Sequence, residues 1–145
     1  VETGPEKAVM LKEFLDGLSA RGVKVNLDPA NLVMVTQDDP VQAVYTLRDY
    51  IVHTHAKDGV NLRACDRHEI YGFFADGGIG DLRIWDYFKE VPLGEGGVDF
   101  DRYIAALADI GYKGYLTIER EVGADPAADI GMAVGFLKNK ISKYN

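Results

Sequence analysis

Three stretches of this chain alternate apolar and polar residues, and each leads through a turn into an amphipathic run. They are Val23-Lys24-Val25-Asn26-Leu27-Asp28, the nine residues from Tyr50 to Asp58, and Tyr115-Leu116-Thr117-Ile118-Glu119. A period of two marks a half-buried strand. Val1-Glu2 reads as the last residues of a fourth. Strands alternating with helices predict a parallel sheet with right-handed crossovers. The central strands of an open, doubly wound sheet are covered on both faces and read as continuous apolar runs. Here each strand keeps one polar face instead: Asn26 and Asp28, His53 and His55, Thr117 and Glu119. Polar faces converging at the carboxyl ends of strands fit the inside of a barrel, with the site at that end. A (β/α)8 barrel takes about 250 residues, and about 200 at the least. The 145 residues present supply four βα units, the first strand truncated.

The expectation is therefore an α/β chain forming one partial domain over residues 1–145, the C-terminal half of such a barrel. A half-barrel alone leaves two unpaired edges and an uncovered apolar face. The chain is thus expected to be a fragment that pairs with a missing N-terminal half, or with itself as a homo-oligomer.

Helix signals set the rest of the frame. Thr3 and Glu6 have capping-box spacing, and Pro5 suits a first turn, which predicts a helix with Val9, Leu11, Phe14, Leu15 and Leu18 inward, ending near Gly22. Asp38-Asp39-Pro40, Asp99 and Asp125-Pro126 mark three further helix starts. Their inward stripes are Val41, Val44 and Leu47; Phe100, Tyr103, Ile104, Leu107 and Ile110; and Ile130, Ala133, Phe136, Leu137 and Ile141. Between Asp58 and Gly97 no helical period is sustained. The aromatics Tyr71, Phe73, Phe74, Trp85, Tyr87 and Phe88 predict an ordered cover there. Gly94-Glu95-Gly96-Gly97 lacks the Lys-Ser/Thr of a phosphate loop and reads as a tight turn into the Asp99 helix.

Charge excludes several function classes. A net charge of −7 and a sequence pI near 4.9 oppose unaided binding to nucleic acid or an anionic membrane. The sequence holds no run of about 18 apolar residues and no charged-then-apolar leader, so neither a membrane span nor a signal peptide is expected. The single cysteine, Cys65, forbids an internal disulfide, lacks the spacing of a structural zinc site and suits a reducing, cytoplasmic setting.

Glu2, Asp28, His55 and Glu119 fall at the carboxyl ends of successive strands. Three carboxylates and an imidazole are a hard, oxygen-rich set that suits a six-coordinate Mn²⁺, Mg²⁺ or Co²⁺ better than a closed tetrahedral Zn²⁺. Asp28, just before Pro29, also reads as a plain helix cap. His53, a layer deeper on the same face, is expected to support the site rather than bind a cation.

Glu2-Thr3-Gly4, Asn26-Leu27-Asp28-Pro29, His53-Thr54-His55-Ala56-Lys57-Asp58, Pro92-Leu93-Gly94-Glu95-Gly96 and Leu116-Thr117-Ile118-Glu119 resemble the C-terminal half of the sugar phosphate isomerase/epimerase family, which has a xylose isomerase-like TIM barrel. The resemblance covers essentially the whole chain. It implies a metal-dependent isomerase or epimerase on a sugar or sugar phosphate, with the divalent metal held by Glu2, Asp28, His55 and Glu119. Glu2 and Glu119 would also be its catalytic acid/base pair, with charge developing on a metal-polarised carbonyl. His53 and Lys57 would neighbour the site and touch substrate oxygens, and Arg63 and Arg67 could meet a phosphate or carboxylate. The family's 3-epimerases carry a histidine three residues after the metal aspartate. Here Asn31 stands there, able to bind a hydroxyl without a charge. An inosose dehydratase-like lyase on the same scaffold and a non-catalytic, self-associating half-barrel are the competing readings. Endonuclease IV-like repair would need many histidines and a basic groove, whereas the chain has three histidines and excess acid.

Overall fold

A computed structural model describes residues 1–64, 66–78 and 83–144. Cys65 and the side chain of Phe74 lie outside the described residues, and so do the inferences drawn from them.

In chain order the elements are α1 (Ala8–Asp16), β1 (Val25–Leu27), the short α2 (Pro29–Asn31) running into a π-helical turn (Leu32–Thr36), α3 (Pro40–Thr46), β2 (Ile51–Ala56) and β3 (Asp58–Asn61). Then come α4 (Arg67–Ala75), a 3₁₀ turn (Ile84–Asp86), β4 (Phe88–Val91), α5 (Phe100–Asp109), β5 (Leu116–Ile118) and α6 (Pro126–Ile141). The main sheet has the order β1-β2-β5, all parallel. Glu2 adds a parallel bridge to Asn26 on the β1 edge, held by Asn26 N–H to Val1 O at 2.8 Å and Thr3 N–H to Asn26 O at 3.1 Å. The four strand positions thus run in sequence order, as in half of a barrel wall.

Alternation sorts the side chains. Val25, Leu27, Thr54 and Ala56 are fully buried beneath the helices, while Asn26, His53 and His55 take the other face. Thr54 survives in this apolar layer because its hydroxyl is satisfied: it donates to Leu27 O at 2.7 Å and meets the hydroxyl of buried Tyr103. The outer layer follows the strand order, with α1 beside α3, α3 beside α5 and α5 beside α6.

Local chemistry places most helix starts. Asp39, Asp99 and Asp125 accept from Val41, Arg102 and Ala128 N–H respectively, and Pro40 and Pro126 fill the first helical position. The α1 start differs from expectation. Thr3 does not cap: its hydroxyl accepts from Asp28 N–H at 2.8 Å and donates to Asp28 O at 2.9 Å. The helix begins five residues later, at Ala8, whose N–H is taken by Asp38 at 2.8 Å, and it ends at Gly17 rather than Gly22. Val9 and Phe14, expected inward, are each 57% exposed.

The stretch after β2 is also more regular than expected. β3 and β4 form an antiparallel pair, Asp58 opposite Val91 and Asn61 opposite Phe88, with α4 between them in sequence. The glycine turn is built around Asp58, whose carboxylate accepts from the N–H groups of Gly59, Gly94, Gly96 and Val98 at 2.9–3.1 Å. A Cβ on Gly96 would stand 2.2 Å from Asp58 Oδ1, so only glycine fits.

Candidate metal centre

Asp28 directly follows β1 and is fully buried. Oδ1 caps α2 by accepting from Ala30 N–H at 2.8 Å and Asn31 N–H at 3.1 Å. Oδ2 is left to face His55 Nδ1 at 3.3 Å. The cap and the site therefore use different oxygens of one side chain. Thr3 pins the Asp28 backbone from the neighbouring strand position, which keeps Glu2 level with it.

His55 lies one step before the end of β2. Its Nδ1 is 2.9 Å from Glu119 Oε2 and 4.0 Å from Glu2 Oε2. One ligand atom each from Glu2, Asp28, His55 and Glu119 lies within 4.8 Å of every other. Ligands on opposite sides of a cation at about 2.1–2.4 Å are separated by about that distance, so the spacing and the donor chemistry both fit a single divalent ion. The hydrogen bond to Asp28 raises the pKa of His55; burial opposes it, and the charges of Glu119, Asp28 and Glu2 add to the rise. Burial pushes the Glu119 carboxyl up, with Lys57 and His55 pulling it back and the Asp28 charge adding to the rise. A carboxylate so placed is a better proton acceptor than one in water.

The remaining sequence-derived candidates fall at different distances from this cluster. Asn31 donates to Glu2 Oε1 at 3.2 Å and to Thr3 O at 3.1 Å. Lys57 is 5% exposed and reaches Glu121 at 2.8 Å, Glu119 at 3.3 Å and Glu90 at 3.6 Å. Burial works against its ammonium, but the Glu121 hydrogen bond and the charges of Asp28 and Glu119 outweigh it and push its pKa up. His53 sits a layer below, its Nε2 3.0 Å from Thr117 Oγ1 and its ring edge-on to His55 at 5.8 Å. Arg63 stacks on Tyr87 at 4.3 Å and does not line the cavity; Arg67 points to Met10 Sδ at 3.6 Å.

That cavity, about 830 Å³, shares Glu2 and Glu119 with the cluster. Glu2, Asn31, Lys57 and Glu119 are among its polar lining residues, and Tyr71, Trp85 and Phe88 among its aromatic ones. Sequence reasoning missed Glu90, Arg120 and Glu121. Arg120 pairs with Glu90 at 2.9 Å and Asp129 at 2.7 Å, which ties β4 to the loop after β5. The available signal was the alternation Glu119, Glu121, which puts both acids on one face of an extended strand.

Residues 3–140 match the family described as xylose isomerase-like TIM barrel. L-ribulose-5-phosphate 3-epimerase UlaE of Escherichia coli, in the O1:K1 and K12 lineages alike, is 43% identical over 58 residues, 39% of this chain and 20% of the relative. A crystal structure of a xylose isomerase domain protein from Planctomyces limnophilus superposes with a TM-score of 0.74 at 30% identity, over 98% of this chain and 44% of that one. A D-tagatose 3-epimerase-like protein gives a TM-score of 0.63 over 99% of this chain and 48% of its own, at 19% identity, a likeness of fold alone. The chain spans less than half of either solved structure.

Proposed function

The chain belongs to the xylose isomerase-like TIM barrel family, and from that footing we propose that it carries the metal centre of a cytoplasmic sugar or sugar phosphate isomerase or epimerase. The observation that carries the reading is the convergence of Glu2, Asp28, His55 and Glu119 on one point, with Glu2 and Glu119 also lining a cavity. A divalent cation held by these four, Mn²⁺, Mg²⁺ or Co²⁺ by the hardness of the donors, would polarise the substrate carbonyl and offset the charge that develops there.

The chain's own groups supply the rest. Glu119 and Glu2 approach the cavity from opposite ends of the strand row, so one can take a proton from the carbon beside the carbonyl while the other returns one to the opposite face. Lys57 holds Glu119 in place by an ion pair, and Asn31 holds Glu2 by a hydrogen bond. Trp85 and Phe88 offer apolar surface to the cavity. The 43% identity to an L-ribulose-5-phosphate 3-epimerase over part of the chain supports a ketose as the substrate class.

The test is proton exchange. Mn²⁺-loaded intact protein is incubated with a panel of ketoses and ketose phosphates in D₂O and followed by NMR. Deuterium entering at the carbon beside the carbonyl, with epimer or aldose formed, is the expected result. Glu119→Gln should lower the rate by about 10²–10⁴-fold, the worth of a general base. Loss of a hydroxyl would point to a lyase, and no exchange on any sugar with metal bound would refute the catalytic reading.

A further inference from the structure

Asn26 sits on β1 where the register to β2 shifts, beside the cluster but outside its four ligand candidates. Its Nδ2 donates to Glu2 Oε2 at 3.0 Å and lies 3.1 Å from His55 Nε2. Its Oδ1 is buried and has no partner, the one such side-chain atom among the described residues. Buried amide oxygens are nearly always paired, and an exception calls for a cause.

With the amide turned this way, His55 Nε2 must accept, so the ring proton resides on Nδ1, facing Asp28 and Glu119. A nitrogen that carries a proton has no lone pair to give a cation. For His55 to bind a cation through Nδ1, its ring proton must be on Nε2, and that N–H then needs an acceptor. The group within reach is Asn26. Half a turn of its amide about the last side-chain bond exchanges Nδ2 for Oδ1 at nearly the same position, because the two ends are alike in size; the turn gives up the Nδ2 hydrogen bond to Glu2 Oε2, an oxygen that a bound cation would then take over.

We propose that Asn26 is a positioning residue of the metal centre: its side-chain oxygen accepts from His55 Nε2–H and so commits Nδ1 to the cation. The inference rests on the metal reading above. It gives the orphaned oxygen a partner, and it follows the general pattern in which a ligating histidine donates its second N–H to a fixed acceptor.

Calorimetric titration of the intact protein with Mn²⁺ tests this on wild type, Asn26→Leu and Asn26→Asp, with circular dichroism to check that each folds. Asn26→Leu, similar in size but without an acceptor, should weaken Mn²⁺ binding by about 10- to 100-fold. Asn26→Asp keeps the acceptor and should bind within a few-fold of wild type or tighter. Because aspartate also adds charge, ¹⁵N NMR of the histidine rings in Mg²⁺-loaded wild type is the arbiter, and His55 should carry its proton on Nε2. Equal affinity in wild type and Asn26→Leu, an Asp variant as weak as the Leu variant, or a proton on His55 Nδ1 in the loaded protein would each overturn the proposal. If wild type takes up no divalent metal, the metal reading itself falls and this inference falls with it.

Discussion

Asp28 divides its two oxygens between a helix cap and the face turned to His55, and that division explains how so short a strand can carry a site. The same carboxylate stabilises α2 locally and charges the cluster. His55 in turn gains its raised pKa first from Asp28. An unfolded histidine titrates near pH 6.5 (about that value for any exposed imidazole). A folded pKa above it means that the native protein binds the proton more tightly than the unfolded chain. That contribution to stability is fully present below about pH 6.5 and is lost as pH rises through the folded pKa. In chelator, the melting temperature should therefore fall as pH rises above about 6.5, and His55→Gln should lose much of that slope. A wild-type slope of zero or of opposite sign would contradict the geometry around Nδ1. With a divalent cation present the proton and the metal compete, so the slope should flatten.

Elements whose determinants are local in sequence were legible, and those whose determinants are distant were not. The Asp-Pro starts of α3 and α6 and the Asp99 start of α5 carry their caps within three residues. The start of α1 is satisfied by Asp38, thirty residues away, so the Thr3–Glu6 spacing misled. β3 and β4 are four residues each and pair across a long insertion, with no alternation strong enough to announce them. For that reason Glu90 was not seen as a partner of Lys57. The three acids and the imidazole of the cluster were legible because each lies at or beside the end of a strand, and a parallel wall brings such ends together. The glycine turn has its own test. Asp58→Ala strands four backbone N–H groups and should cost about 3 kcal/mol or more. Asp39→Ala, at a simple helix cap, should cost about 1 kcal/mol. Equal losses in urea melts would mean that the Asp58 cradle is not what orders the turn.

At the scale of the whole molecule, the open ends agree with one another. The helix layer ends in α1 on one side and α6 on the other, and these two carry outward apolar side chains. Val9 and Phe14 stand out on α1, and Met132 is 61% exposed on α6. Among the described residues, neither the Glu2 edge nor β5 has a further strand beside it. The two solved structures of like fold are each about twice this length, room for a second half of the wall that would cover both edges and both helices. The chain by itself should therefore associate, with a mass in sedimentation above 16.0 kDa that falls on dilution or on Phe14→Glu. A well-folded monomer at all concentrations would show that the open wall needs no cover. Among the described residues no helix is long and apolar enough to cross a membrane.

The proposed role of Glu2, Asp28, His55 and Glu119 is to hold one divalent cation together. Titration of the intact protein with Mn²⁺ after removal of bound metal should give one site per chain. His55→Ala and Asp28→Asn should each weaken it by at least about 10-fold, the scale on which even outer supports of a metal site act. No Mn²⁺ uptake by the folded wild type, or uptake that neither substitution changes, would show that these four do not form a cation site.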